Sequence, residues 1–207
     1  MPSTSNYAVA AAALVAVGLG AGAYVAMTPS GDKYAECGGG VATGAASIGG
    51  PFTLTDHTGR SVTSADVIDK PTFVYFGYTF CPDVCPVDAL NIAIAQDLLT
   101  EQGLETNSAF ITIDPARDDV ETLAGFVANL SPSMIGLTGS EDAIAEAAKA
   151  YRVYYQKAEG EDPEVYLMDH SAFIYLMDPT DGFLEVYRHG VTPEEIAESA
   201  ACYVRAA

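Results

Sequence analysis

Thr72-Phe73-Val74-Tyr75-Phe76-Gly77-Tyr78-Thr79-Phe80-Cys81-Pro82-Asp83-Val84-Cys85-Pro86 decides the reading of this 207-residue chain. Residues 72–76 form an unbroken run of β-branched and aromatic side chains, which reads as a strand buried on both faces. Pro86 suits the first turn of a helix, and Leu90, Ile94 and Leu98 then recur every four residues. That spacing predicts a helix with the Leu90–Ile94–Leu98 face in the core, ended by Gly103. A strand, a two-thiol loop and a helix in succession bring Cys81 and Cys85 to the carboxyl end of a central strand. Open α/β sheets gather their ligands at that edge.

Further elements follow on either side. Phe52–Thr55 and Ser61-Val62 flank the turn His57-Thr58-Gly59 and predict a short hairpin. Ala109–Ile113 is the next strand and runs into Asp114-Pro115. Asp118 and Asp119 can cap a helix reaching about Leu130, residues 134–137 form a short strand, and Ser140-Glu141 open an Ala-rich helix to about Tyr151. Strands are expected at 153–156, at 165–168 fused through a bend to 172–177, and at 183–187, with Asp181-Gly182 as the last hairpin turn. Thr192 caps a final helix begun by Pro193. This is the α/β class: a thioredoxin-like mixed sheet flanked by helices, with an N-terminal hairpin.

Ahead of it, residues 8–27 form an uncharged run of 20 apolar and small residues. A helix of that length rises roughly 30 Å, enough to span hydrocarbon. The first basic residue is Lys33, so the basic n-region of a signal peptide is missing, and an uncleaved single N-terminal transmembrane helix is the expectation. The chain then divides into an anchor (1–28), a Gly- and Ser-rich flexible tether (29–50) and the folded domain (51–207). Nine Lys and Arg stand against 28 Asp and Glu, a net charge of −19. With no basic stripe to neutralise phosphates, nucleic acid is excluded as a partner. The acidity otherwise suits a solvated surface or a basic partner.

Cys81 and Cys85 lie four residues apart, so both sulfurs can face one side of a helix start, where the N-terminus favours thiolates. Thiolates serve as soft metal ligands or as redox nucleophiles. With imidazole they suit copper or zinc. Of the three histidines, His57 and His189 stand in polar turns before glycines and read as solvated. His170 precedes a strand, where it is either a structural residue or a ligand.

The stretch Phe76–Pro86 closely resembles the Sco/SenC family motif. So do Ile113-Asp114-Pro115-Ala116-Arg117-Asp118 and Leu167-Met168-Asp169-His170-Ser171, the latter followed by Tyr175–Pro179, and all occur in the family's order. The resemblance implies a thioredoxin-like fold and one copper ion, Cu(I) or Cu(II), held by Cys81, Cys85 and His170. Asp114, Arg117, Asp118 and Asp169 would orient the ligand loops, or else be helix-start and surface ion-pair residues. It further implies a metallochaperone that assists assembly of the dinuclear copper centre of cytochrome c oxidase subunit II. Its partners would be that subunit, its assembly factors and other copper chaperones. The expected location is the inner membrane of a bacterium, with the domain in the periplasm. The alternative is a thiol–disulfide oxidoreductase that keeps partner cysteines reduced. Such enzymes usually carry C-x-x-C and a cis-proline loop, whereas this chain has C-x-x-x-C and Asp169-His170-Ser171. A peroxiredoxin-type peroxidase fits less well, because Thr79 is two residues before Cys81 rather than three.

Cys37 and Cys202 lie outside these motifs. They either form a disulfide between tether and last helix or remain thiols, Cys202 then acting as a small buried hydrophobe.

Overall fold

Strand β3 (Thr72–Gly77) is buried at all six positions, as its unbroken apolar run requires. The computed structural model describes residues 33–37, 48–158 and 166–207. Besides β3 they form β1 (Thr53–Asp56), β2 (Ser61–Thr63), α1 (Ser64–Val67), α2 (Val84–Glu101), β4 (Asn107–Thr112), α3 (Val120–Ala128) and β5 (Met134–Thr138). After these come α4 (Glu141–Ala150), β6 (Tyr155–Lys157), β7 (Met168–His170), β8 (Phe173–Asp178), β9 (Gly182–Arg188) and α5 (Pro193–Ala206). Seven strands make one sheet in the order β2-β1-β5-β4-β3-β8-β9. The central strands β3, β4 and β5 are parallel, and β1 and β8 join antiparallel. This is a thioredoxin-like mixed sheet flanked by helices.

Helix starts follow their caps. Asp119 accepts from Thr122 N at 2.8 Å, Ser140 from Ala143 N at 3.2 Å, and Thr192 forms a reciprocal box with Glu195. The turn α1 was not anticipated; Thr63 caps it through a box with Asp66.

Three readings are corrected. First, Leu90 and Ile94 are 46% and 38% exposed. Helix α2 instead buries Cys85, Asp88, Ala89, Ile92, Ala93, Ala95, Gln96 and Leu99. The sequence reading followed the largest residues, but three alanines on the inward face let the helix lie close to its neighbours. Second, the stretches expected to fuse through a bend into one strand separate, position 165 lying outside the described residues. β7 pairs with β6 in a separate two-stranded ribbon, with Tyr155 opposite His170, and β8 enters the main sheet. The break is held by Ser171 N donating to Tyr154 O and Tyr154 N donating to Ser171 Oγ.

Third, the single transmembrane helix, with the membrane as partner and the membrane-anchored periplasmic location built on it, is withdrawn from the architecture. No helix among the described residues is long and apolar enough to cross a membrane. Helix α2 has 18 residues but carries Asp88, Asp97 and Glu101. The expected span at residues 8–27 lies outside the described residues, as do positions 29–32 and 38–47 of the tether. Within the tether, Tyr34 is 6% exposed and stacks on Tyr203 at 5.5 Å, and its hydroxyl donates to Asp181. A disulfide joins Cys37 to Cys202. Residues 33–37 are thus docked on α5.

Candidate metal centre

The two central thiols sit where β3 hands over to α2. Asp83, the residue preceding the helix, makes no side-chain cap. The sulfur of Cys81 takes that place and accepts the Cys85 backbone N–H at 3.4 Å. An electron-rich sulfur at a helix N-terminus is stabilised as thiolate. Hydrogen bonding from the Cys85 thiol, with the local backbone N–H groups and His170 nearby, outweighs burial and brings Cys81 down to about 5. The same contact, together with burial, pushes Cys85 far up. The pair therefore holds one proton tightly, on Cys85, and releases the other readily. Both residues are buried and neither is in a disulfide.

His170 arrives from the β6–β7 ribbon. Its Nε2 lies 3.3 Å from Cys85 Sγ, and its Nδ1 is 3.1 Å from the Ser171 carbonyl oxygen. A carbonyl can only accept, so Nδ1 carries a proton and Nε2 is the ring nitrogen that faces the sulfur. Tyr75 and Tyr78 pack edge-on against the imidazole at 6.4 and 6.0 Å and fix its plane.

The loop before Cys81 is pinned by Asp118, which is fully buried. Its carboxyl accepts Thr79 N at 2.9 Å, Thr79 Oγ1, and Thr112 Oγ1 at 2.6 Å. Burial raises its pKa despite these three bonds. Asp114 accepts from Tyr166 Oη at 2.8 Å and pairs with Arg117. The Arg117 guanidinium lies over Tyr166 at 3.6 Å and over Phe80 at 4.8 Å, and it donates to Tyr166 O at 2.9 Å. Arg117 thus ties Phe80, next to Cys81, to the segment leading into β7. Asp169 is exposed, alternating along β7 with His170, so its side chain leaves the strand on the opposite face.

Asp118, Asp114 and Arg117 therefore act through the loops that carry the thiols and the imidazole. Tyr166, Thr79, Thr112 and Asp88 escaped the sequence reading. His57 and His189, read as solvated, both have partners: His57 Nδ1 accepts from Gly136 N, and His189 Nδ1 meets Asp88 Oδ1 at 2.8 Å. An acidic residue three positions after Cys85, on the same helix face, was the available signal for Asp88.

Two sulfurs and an imidazole nitrogen form a soft, open set suited to copper and one donor short of a closed zinc site. The 3.3 Å between Cys85 Sγ and His170 Nε2 is compatible with one ion bound at roughly 2.0–2.3 Å from each. As the side chains stand, no three His, Cys, Asp or Glu among the described residues form a ready cage. Cys85 is instead in contact with each of the other two. A cleft of about 430 Å³ between Asp114–Ala116 and the β6–β7 ribbon lies beside the site and is lined by none of the three donors.

The SCO1/SenC family pattern matches residues 40–205. The chain belongs to the SCO1/SenC family. It is 47% identical over 205 residues to Protein SenC of Rhodobacter capsulatus, a match covering 99% of this chain and 92% of that protein. It is 44% identical over 149 residues to the mitochondrial SCO1 homolog 1 of Arabidopsis thaliana, covering 72% of this chain and 44% of that protein. The crystal structure of Arabidopsis thaliana ScoI with copper bound superposes with a TM-score of 0.72 at 39% identity. It covers 76% of this chain and 98% of that one. This SCO1/SenC chain thus spans nearly the whole bacterial relative and under half the mitochondrial one.

Proposed function

We propose that this chain carries one copper ion on Cys81, Cys85 and His170 and hands it on during cytochrome c oxidase assembly, the dinuclear centre of subunit II being the recipient. The observation that carries the reading is the approach of His170 Nε2 to Cys85 Sγ, with Cys81 on the same helix start. The solved Arabidopsis relative, which holds copper, supports it. Bound copper would supply an exchangeable cation for transfer between thiolate sites. The chain's residues do the rest. Cys81 offers a thiolate at neutral pH. Ser171 fixes the imidazole tautomer, and Asp118 holds the loop in register.

Thiol–disulfide exchange is the second reading, favoured by the low pKa of Cys81. In that reaction the Cys81 thiolate attacks a partner disulfide and expels one partner thiolate. Cys85 must then lose its proton and attack Cys81 to release the other. His170, whose Nε2 lies 3.3 Å from Cys85 Sγ, has no part in that exchange and completes a metal donor set, so copper carriage ranks first.

The test is a competitive Cu(I) titration of the full chain against a chromogenic chelator. Tight one-to-one binding should vanish in the Cys81→Ser/Cys85→Ser variant and weaken in His170→Ala. Equal binding by wild type and the double variant would end the copper reading.

A further inference from the structure

Behind Cys85 stands a group of polar side chains that copper carriage leaves unused. Asp88 follows Cys85 by three residues on α2, so both project from the inward face. Asp88 is 1% exposed. Its Oδ1 meets Nδ1 of the partly exposed His189 at 2.8 Å. Its Oδ2 is buried without a hydrogen-bond partner among the described residues, and so is the hydroxyl of Tyr75. That hydroxyl lies close to both Cys85 and Asp88; burial first, and then these two groups, push its ionisation up. The ring of Tyr75 meets His170 edge-on at 6.4 Å. Tyr75 therefore packs against two of the three expected donors, with Asp88 behind it.

Burying a carboxyl this deeply is costly even beside a hydroxyl and an imidazole. The inward positions around Asp88 are Ala89, Ile92 and Ala95, so packing alone would be met by an apolar residue.

We infer that Asp88, steered by His189, is a positioning residue whose fixed negative charge sets the site's preference between copper oxidation states. This rests on the copper reading above. Two thiolates, one neutral imidazole and Cu(I) sum to −1, and the same set with Cu(II) sums to zero. A carboxylate held on the protein side of Cys85 repels the additional electron and favours Cu(II). Burial limits solvent screening of that repulsion. Asp88 does not ligate. It acts across Tyr75 on Cys85.

The experiment measures affinity for Cu(I) and for Cu(II) separately, by competition with a chelator specific to each state, in the full-length wild type, Asp88→Asn and Asp88→Glu. The Cu(II)–thiolate absorption band is recorded alongside. Asp88→Asn keeps the shape and removes the charge, and should shift the affinity ratio about tenfold toward Cu(I) and move the band. Asp88→Glu keeps the charge and should stay within about threefold of wild type. Equal ratios in Asn and Glu variants, or both affinities falling together with the ratio unmoved, would show a packing role and overturn the inference. A wild type that binds neither ion removes the copper reading and this inference together. A wild type that binds both with an unmoved ratio in Asp88→Asn removes this one alone.

Discussion

The Cys85 sulfur lies 3.3 Å from Nε2 of His170, a residue 85 positions away that reaches it from outside the main sheet. The β6–β7 ribbon makes the meeting possible. The break at Ser171 separates β7 from β8 and places His170 in the ribbon, beside the Cys85 sulfur at the end of β3. The two thiols come from one short loop and the imidazole from a ribbon held by few hydrogen bonds.

Proton sharing between the thiols gives a pH prediction. Cys81 has a depressed pKa of about 5, so it is a thiolate across the neutral range and becomes protonated as pH falls through that value. Alkylation by iodoacetamide should rise with a midpoint near pH 5 and proceed at a single residue, Cys81. Replacing Cys85 with Ala removes the leading donor to the thiolate, and the midpoint should move up toward the ordinary thiol value of about 8.5. An unchanged midpoint in Cys85→Ala would mean that the helix start, and not the second thiol, stabilises the anion.

The buried carboxyl under the loop yields a contrast between two substitutions. Asp118 accepts three hydrogen bonds, from Thr79 N, Thr79 Oγ1 and Thr112 Oγ1. Burial raises its pKa, so ionisation at neutral pH opposes folding: between the ordinary carboxyl pKa and its raised value, stability falls as pH rises. Asp118→Asn can keep an acceptor toward Thr79 N and Thr112 and donate to the Thr79 hydroxyl, and should change stability by less than about 1 kcal/mol. Asp118→Ala leaves the backbone N–H of Thr79 unpaired and should cost about 2–4 kcal/mol, with faster copper release. Urea unfolding of the two variants measures the difference.

Much of this molecule was legible because local chemistry and fold agree. The run 72–76 could only be a doubly buried strand, and Asp119, Ser140 and Thr192 marked their helices because orphan N–H groups need acceptors there. The site was legible in its motifs, not in its surroundings. Tyr166 and Asp114 are 52 positions apart and joined by one hydrogen bond, a relation no local pattern encodes. Helix α2 misled for a different reason. Its apolar residues of every size run nearly all the way round, so the periodicity of the large ones singled out the wrong face.

That helix supports a direct test. Ile92 is 1% exposed and Ile94 is 38% exposed, two residues apart on the same element. Ile92→Ala should cost about 2–5 kcal/mol, whereas Ile94→Ala should stay within about 0.5 kcal/mol. Comparable losses would place both in the core and restore the Leu90–Ile94–Leu98 face as the buried one.

The Cys37–Cys202 bridge closes a loop of 165 residues and lies away from the thiol edge. The direction follows from the topology. Thr72, at the start of β3, sits opposite Met177, so the β8–β9 turn that holds Lys33 and Tyr34 lies at the end remote from Gly77 and Cys81. Near the same end Arg205 on α5 bonds Gln102 just beyond α2. Cross-linking over that span constrains the unfolded chain, and Cys37→Ser/Cys202→Ser should lower stability by about 2–5 kcal/mol. Because the bridge sits far from Cys81, Cys85 and His170, copper affinity should stay within about twofold of wild type under conditions where both proteins are folded. A tenfold loss of affinity at unchanged secondary structure would show that the docked 33–37 segment and the thiol edge are coupled through α2 and α5.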